Sequence, residues 1–128
     1  MQLKKSQGAI EFMIIIGAVL FFFVIFFTLI NERVSQSERD KEMTEIKNLA
    51  LSVQDEINLA TKSTDGYNRE FYVPQTINLN EYYINMTDSR IYIKTEGNAI
   101  SYPIEKVEGQ IKKGNNRIKK ENGKVYLN

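Results

Sequence analysis

The pattern of apolar and polar positions divides the chain into an N-terminal part with helical periodicity and a C-terminal part with strand periodicity. Residues 12–30, FMIIIGAVLFFFVIFFTLI, carry no charged side chain. A helix of this length is about 28 Å long at about 1.5 Å per residue, close to the thickness of the hydrocarbon core of a bilayer. The stretch therefore predicts a membrane-spanning helix.

The helical pattern continues beyond the apolar stretch. Residues 31–62 contain neither Gly nor Pro. Charged residues dominate up to Glu45, and apolar residues then recur at positions that form one stripe on a helix: Ile46, Leu49, Ala50, Val53, Ile57 and Ala60. Asp65-Gly66 predicts the end, because Gly adopts the left-handed conformation that terminates helices. One helix over residues 8–62 would be about 80 Å long, with an amphipathic outer half.

After Gly66 the period changes to two. Short segments rich in Tyr, Ile, Val and Phe alternate with turn residues: EFYV (70–73), EYYINM (81–86), RIYIK (90–94), AISYPI (99–104), KVEGQI (106–111), NRIKK and KVYL. The last two flank Asn122-Gly123, which predicts a β-hairpin because both residues tolerate positive φ. A small antiparallel sheet packed on the helical stripe gives an α+β fold with one long N-terminal helix.

Composition limits the chemistry that the chain can perform. The 128 residues include no Cys and no His, and the formal net charge is +1. The usual thiol nucleophile, the commonest general base near neutral pH and the commonest metal ligands are therefore missing. Adjacent carboxylates such as Asp55 and Glu56 diverge on a helix and make no acid–base pair. We expect no enzyme activity, no cofactor and no nucleic-acid partner.

The first twelve residues, MQLKKSQGAIEF, place a basic pair and then an acid in front of the apolar stretch. Lys4 and Lys5 predict a cytoplasmic N-terminus with the rest of the chain outside. The apolar stretch is longer than that of a secretory signal peptide and no A-x-A-like site follows it, so we expect the helix to be retained. An ionised Glu11 costs about 2.5–3.5 kcal/mol at the centre of a span and less near its end, so it needs either an interfacial depth or a partner.

These residues resemble the processing site of archaeal type IV pilins with class III signal peptides. The matching features are Lys4 and Lys5, the small residue Ser6, then Gln7, and Glu11 at the fifth position counted from Gln7. In that family a membrane prepilin peptidase cuts on the cytoplasmic side and leaves the helix on the mature protein. The resemblance implies a cut between Ser6 and Gln7, although Gly is the family's usual residue before the cut. Archaellins usually lack the acid, so Glu11 favours an adhesion-type pilus.

The resemblance implies a structural subunit of an extracellular filament. Residues 1–6 would be the leader peptide, 7–31 the transmembrane and filament-core helix, 32–65 its amphipathic extension and 66–128 the extracellular β domain. The precursor would lie in the cell membrane and the assembled protein in a cell-surface filament. Its partners would be the prepilin peptidase, an assembly ATPase, a platform protein and copies of itself.

Two interpretations of Glu11 follow from the residues. Cleavage would expose a new α-amino group, and stacked helices would bring this amine near a Glu11 carboxylate of the same or a neighbouring subunit. Glu11 would then fix the register of assembly. Alternatively, Glu11 lies at headgroup level in an unprocessed single-pass protein whose outer domain senses or binds a ligand. The phenylalanines of residues 21–27 suit lipid contact and a bundle of identical helices equally well.

Two features of the C-terminal part add expectations. Asn85-Met86-Thr87 matches the acceptor pattern for N-glycosylation, and the expected topology places Asn85 outside the cell. Six basic residues surround a single acid, Glu121, near the C-terminus: Lys112, Lys113, Arg117, Lys119, Lys120 and Lys124. We interpret this basic end as a charged edge hairpin that opposes sheet-to-sheet aggregation. An adhesive surface for anionic partners is the alternative, without a supporting motif.

Substitutions at Ser6 separate the two interpretations of the N-terminus. If a peptidase cuts after Ser6, Ser6→Phe should block maturation, because the site requires a small residue, whereas Ser6→Gly should be processed normally. An immunoblot that resolves precursor from mature protein measures the outcome. An unprocessed membrane anchor would give one band of the same size in all three proteins.

Overall fold

The computed structural model describes the backbone from Gln2 to Asn128 and the side chains of residues 6–128. One helix, α1 (Gln2–Lys62), precedes all the strands in this part of the chain. The strands are β1 (Asn68–Val73), β2 (Tyr83–Thr87), β3 (Arg90–Lys94), β4 (Ala99–Pro103), β5 (Glu108–Gly109), β6 (Gly114–Glu121) and β7 (Lys124–Leu127).

The chain forms two compact units, and the division between them falls inside α1. The first unit is Met1–Glu38 and the second is Arg39–Asn128. We call the second unit the head. It contains the last part of α1 together with every strand. The predicted α+β fold, a long N-terminal helix packed against small antiparallel sheets, is confirmed.

The strands of the head form two sheets rather than the single one expected. Strands β2, β3 and β4 make an antiparallel three-stranded sheet in sequence order. The other sheet has the order β1-β6-β7-β5 and is antiparallel except where β5 pairs in parallel with β7. The segment KVEGQI contributes only Glu108 and Gly109 to this sheet, whereas its apolar residues Val107 and Ile111 are buried from loop positions.

The apolar stripe of α1 forms the centre of the head's core. Ile46, Val53 and Ile57 are fully or almost fully buried, and Leu49 is buried as well, as the spacing predicts. The sheets bury Val73, Ile91, Ile93, Ile118, Val125 and Leu127 in the same cluster. Burial of side chains of this size contributes about 1.5–3 kcal/mol each, so this stripe is a large part of what joins helix and sheets.

The C-terminal end of α1 is fixed by the β6–β7 hairpin. The Lys120 ammonium donates hydrogen bonds to the carbonyl oxygens of Thr61, at 2.6 Å, and Ser63, at 2.9 Å. The amide of Gly66 donates to the Lys120 carbonyl at 2.8 Å, and Gly66 adopts a φ of +94°. A cation at this position satisfies one carbonyl of the last helical turn and one just beyond it, and it opposes the negative end of the helix dipole. The predicted helix end before Asp65-Gly66 is confirmed.

The predicted hairpin is confirmed, but it is not an edge element. Asn122 and Gly123 both have positive φ, 52° and 74°, and connect β6 to β7. Strand β6 lies between β1 and β7, and β7 lies between β6 and β5. The interpretation of the basic end as an edge hairpin is therefore wrong, because β1 pairs along β6 and the short β5 pairs with Tyr126 and Leu127 of β7.

Gly109 is the position where a side chain would be least tolerated. Its φ is +114°, and a Cβ atom there would lie 2.0 Å from the carbonyl oxygen of Leu127. Gly109→Ala should lower the free energy of unfolding of the head by about 2–4 kcal/mol, because it combines backbone strain with a clash against backbone atoms. Denaturant titration in detergent, followed by near-ultraviolet circular dichroism, measures the loss.

Gly66→Ala is the matched control for Gly109→Ala. Gly66 also has positive φ, but a Cβ atom there meets no heavy atom within 4 Å. The control should therefore cost only about 1–2 kcal/mol, from backbone strain alone. Equal losses in the two variants would contradict the clash at Leu127.

Lys120 and its neighbour Lys119 provide a second matched pair. Lys120→Met should destabilise the head by about 1.5–3 kcal/mol, since it removes a charged donor from the carbonyls of Thr61 and Ser63. Lys119 forms an exposed ion pair with Glu121 at 3.2 Å, so Lys119→Met should change stability by less than about 1 kcal/mol. The same titration checks both values, and a larger loss for Lys119→Met would be inconsistent with the capping role.

Candidate functional site

The first unit presents an apolar helical surface that nothing in the described chain covers. Every side chain of residues 6–41 is exposed. The large apolar side chains of residues 10–34 range from 39% exposure at Ile16 to 73% at Met13. Soluble monomers rarely expose contiguous apolar patches above a few hundred Å². This surface therefore requires a cover, either lipid or other protein.

The helix satisfies the length and composition required to cross a membrane, as predicted. Among the described residues it is the one helix of this kind, and its most apolar window is not buried at all within the chain. A membrane anchor and an N-terminal signal sequence both have these properties.

Glu11 lies on α1 at the start of the apolar surface and is exposed. The residues one helical turn away from Glu11 are all uncharged: Gln7 and Gly8 before it, and Ile14 and Ile15 after it. Among the side chains that the structure describes, those of residues 6–128, no ion pair includes Glu11. An ionised Glu11 enclosed in an apolar environment would need a cation from elsewhere.

The predicted cleavage site lies at the beginning of α1. Ser6 and Gln7 are helical and exposed. The side chains of Lys4 and Lys5, the basic pair of the predicted leader, lie outside the described residues. The structure therefore places the bond between Ser6 and Gln7 one helical turn before Glu11.

The glycines of the apolar helix have no role in packing within this chain. A Cβ atom at Gly8 or Gly17 would meet no heavy atom within 4 Å, and neither residue has a left-handed φ. Gly in a helix interior costs about 1 kcal/mol relative to Ala. The Thr28 hydroxyl donates a hydrogen bond to the Val24 carbonyl at 2.8 Å, so this polar group is satisfied within the helix. The whole surface is thus compatible with close contact to a second apolar helix.

The phenylalanines extend this surface around the helix. Phe21 and Phe22 meet edge to face with ring centroids 6.2 Å apart, and Phe23 and Phe27 lie 5.9 Å apart. All four rings are more than half exposed. These intrachain contacts leave most of each ring free for lipid or for a neighbouring helix.

Asn85, the expected glycosylation site, lies in β2 at an edge of the three-stranded sheet and pairs with Tyr92. The side chain is half-buried, and its Oδ1 atom accepts a hydrogen bond from the Met86 amide at 2.8 Å. Thr87 is exposed and donates its hydroxyl to the Arg90 carbonyl at 3.2 Å. The motif therefore lies on a strand, with the side-chain oxygens of Asn85 and Thr87 engaged in local hydrogen bonds.

Acids distant in sequence pair with three of the six cations of the basic end. Lys113 contacts Glu81 at 3.1 Å, Arg117 contacts Glu70 at 3.1 Å and Lys124 contacts Glu108 at 2.9 Å. The hydrogen bond and the negative charge of Glu108 raise the pKa of Lys124. Lys119 binds Glu121, and Lys120 binds the carbonyls of Thr61 and Ser63, so five of the six cations have partners and Glu121 is not the single acid beside them. This pairing disfavours an adhesive cationic patch.

Polar side chains of α1 hold two loops of the head, an arrangement with no local sequence pattern. The buried Glu42 carboxylate accepts a hydrogen bond from the Asn98 amide group at 2.7 Å. Glu45 accepts one from the backbone amide of Asn78 at 2.8 Å. Charged residues dominate the sequence up to Glu45, yet Glu42 and Glu45 belong to the head and bind its loops.

The acidic side chains of the described residues are dispersed with respect to metal binding. Among residues 6–128, no group of three or more Asp or Glu side chains is placed to hold a metal ion. Asp55 is exposed, while the neighbouring Glu56 is partly buried and contacts Arg69 at 3.5 Å. The two carboxylates therefore have different surroundings and do not face a common site.

Comparisons of the chain with models of known protein families, with curated proteins and with solved structures found no match. Functional inference therefore depends on the N-terminal residues and on the surfaces described above. Of the predicted site residues, Ser6, Gln7 and Glu11 lie together on the exposed first unit, and Asn85 lies on the head.

Proposed function

We propose that the chain is the structural subunit of an extracellular filament of the type IV pilus kind. A prepilin peptidase removes residues 1–6 from a membrane-bound precursor whose N-terminus is cytoplasmic. The apolar helix then moves from lipid into a bundle of identical helices, driven by an assembly ATPase and a platform protein. The head, with Asn85 as its expected glycosylation site, lies on the outside of the filament and serves surface adhesion.

The observation that carries this proposal is the uncovered helical surface of residues 10–34 together with the acid at its start. Lipid covers the apolar side chains of a single-pass anchor as well as sister helices do. The position of Glu11 next to the apolar surface distinguishes lipid from sister helices as the cover. In lipid, Glu11 gains nothing from its position, whereas in a helix bundle it supplies the one negative charge for a newly formed N-terminal amine.

The pairing of Glu11 with an α-amino group fixes how the helices stack. A carboxylate and an ammonium enclosed by apolar side chains attract each other strongly, because the local dielectric constant is low. Leaving either charge alone in that environment costs about 3–5 kcal/mol. A subunit docked one turn out of register would leave both charges alone, so the pair selects one register for every addition.

A second candidate function uses the same helix without processing. An intact N-terminus would leave Lys4 and Lys5 as an anchor flank, and the head would bind or sense a ligand outside the membrane. The fit of the apolar surface to a bilayer favours this candidate as much as the filament. The two differ in whether the charge of Glu11 matters.

Neutral substitutions of Glu11 test the proposed function. Glu11→Ala and Glu11→Gln should leave membrane insertion intact, because neither adds a charge to the apolar helix. Filament formation should fall at least a hundredfold in both variants, since the new amine loses its partner. Cell fractionation measures insertion, and electron microscopy of sheared surface filaments measures assembly.

Glu32→Gln is the matched control, because Glu32 is an exposed acid just beyond the other end of the apolar stretch. It should assemble like the unaltered protein. Normal filaments from Glu11→Gln would remove the charge pair from the proposal, and membrane-bound protein that never forms filaments in its native cell would favour the unprocessed anchor.

A further inference from the structure

The three-stranded sheet of the head has one face toward the core and one face outward. Ile91 and Ile93 of β3 are fully buried, and Met86 of β2 is buried as well. Because side chains alternate along a strand, the residues between these positions point the other way. Nine residues, three from each strand, form this second face, which we call the outer face: Tyr83, Asn85, Thr87, Arg90, Tyr92, Lys94, Ala99, Ser101 and Pro103. Asn85 is half-buried and the other eight are exposed.

The expected glycosylation site lies between two tyrosines on the outer face. Tyr92 pairs directly with Asn85 across the β2–β3 ladder, and Tyr83 precedes Asn85 by two residues on β2. Directly opposed residues have Cβ atoms about 4.5–5.5 Å apart, and residues two apart on a strand are separated by about 6.6 Å. The hydrogen bond from the Met86 amide uses the Oδ1 atom of Asn85, whereas a glycan is attached to Nδ2. A sugar on Asn85 therefore begins beside both rings.

The two tyrosine rings have surfaces free for contact. Tyr83 is 57% exposed and Tyr92 is 38% exposed. Within residues 6–128, the aromatic pairs are formed by phenylalanines, and the cations that lie over rings contact Tyr82 and Tyr126. A tyrosine ring offers a large, rigid surface at low entropic cost, and its negative face attracts the C–H groups of a pyranose. Both rings are therefore available to pack against a sugar.

A groove continues the outer face beyond Tyr83. The groove has a volume of about 440 Å³ and is lined by Glu81, Tyr82, Tyr83, Lys94, Thr95 and Glu96. Tyr83 and Lys94 pair across β2 and β3 and belong to both the groove and the outer face. The lining combines aromatic rings with carboxylates that accept hydrogen bonds and an ammonium that donates them. These groups match the apolar faces and the hydroxyls of a carbohydrate.

The charge of the outer face disfavours a second copy of the same face as its cover. The charged residues among the nine positions are Arg90 and Lys94, and both are cations. Among the described side chains neither forms an ion pair, and Arg90 donates a hydrogen bond to the Ser101 hydroxyl at 2.8 Å. A reciprocal contact would bring like charges together, which is unfavourable. A neutral sugar meets no such repulsion, and an acidic sugar is attracted.

We propose that the outer face binds the carbohydrate attached to Asn85 of the same chain. The first sugars pack on Tyr92 and Tyr83, and the rest of the carbohydrate extends toward the groove. The covalent link holds the sugar near the rings at an effective concentration of about millimolar, so a weak contact is sufficient. This inference rests on the part of the proposed function that places the head outside the cell, and it adds a binding site for the glycan.

Attachment of the sugar is a transfer from a lipid carrier to the acceptor motif. The donor is an oligosaccharide whose C1 carbon is bound to a phosphate oxygen of a membrane lipid. The bond between C1 and this oxygen breaks, a bond between C1 and the Nδ2 atom of Asn85 forms, and Nδ2 loses one proton. The lipid phosphate leaves with the electron pair of the broken bond. No oxidant or reductant is consumed.

Hydroxyl-radical labelling of the tyrosine rings tests the contact. Full-length protein from its native cell is labelled in sheared filaments and in detergent-solubilised membranes. Peptide mass spectrometry then gives the oxidation rate of each tyrosine and the modification of Asn85. Tyr83 and Tyr92 should be oxidised several-fold more slowly in the native protein than in Asn85→Gln, which keeps an amide but removes the acceptor. Tyr72, 61% exposed in the other sheet, is the internal control and should be oxidised equally in both proteins.

The other outcomes distinguish the sugar from other covers and the contact from the filament. Equal oxidation in both proteins, with Asn85 glycosylated, would show that the sugar extends into solvent and would overturn the inference. An unmodified Asn85 in native filaments would also overturn it and leave the filament intact. Protection in the filaments of both proteins, lost in detergent, would assign the cover to a neighbouring subunit instead. Protection by the sugar in membranes that hold no filaments would support the contact while counting against the filament function.

Substitution of Tyr92 separates the contact from a general effect of glycosylation on stability. Loss of the glycan in Asn85→Gln should lower the melting temperature of the full chain in detergent by roughly 4 °C. In a Tyr92→Thr background, the forms with and without the glycan should melt at the same temperature, because the ring that the sugar covers is missing. Tyr72→Thr is the matched control and should keep the full difference. A difference that survives Tyr92→Thr would overturn the role of this ring.

Discussion

The apolar surface of α1 must be covered, and the two parts of the helix meet this requirement in different ways. In the head, two sheets cover the stripe of Ile46, Val53 and Ile57. Over residues 10–34 no part of the described chain supplies a cover, and the side chains stay exposed. The free energy of transferring this surface out of water therefore remains available for lipid or for other helices. One helix thus has apolar residues that are buried in the head and apolar residues that remain exposed.

Polar groups determine the geometry once apolar burial has supplied the driving force. In the head, Glu42 and Glu45 orient two loops, and Lys120 fixes the helix end, each through hydrogen bonds with defined partners. The first unit has the same kind of determinant in Glu11, but the residues with described side chains contain no partner for it. In the proposed filament, the partner comes from the cleavage itself, which converts an internal amide into a free amine. Processing then supplies the positive charge that assembly requires.

Sequence patterns predicted the parts of the fold that depend on local periodicity. RIYIK coincides with β3, and the stripe of α1 is buried as its spacing indicates. Pairing at long sequence separation was not predictable: Glu70 and Glu81 neutralise cations that follow them by more than thirty residues. Gly109, in the two-residue strand β5, is constrained by the backbone of Leu127, a contact that no local pattern indicates. The positive φ of Leu79, 64°, was not predicted, because a leucine gives no sequence indication of a left-handed backbone. The predicted roles of Ser6, Gln7, Glu11 and Asn85 concern partners and remain predictions.

The central claim is that a newly formed N-terminal amine is part of the assembled protein, and the mass of the native polypeptide tests it most directly. Intact-mass and N-terminal peptide spectrometry of the protein isolated from its own cells should find a chain that begins at Gln7, with residues 1–6 absent. A native polypeptide that still carries Lys4, Lys5 and Ser6 ahead of Gln7 would contradict the account.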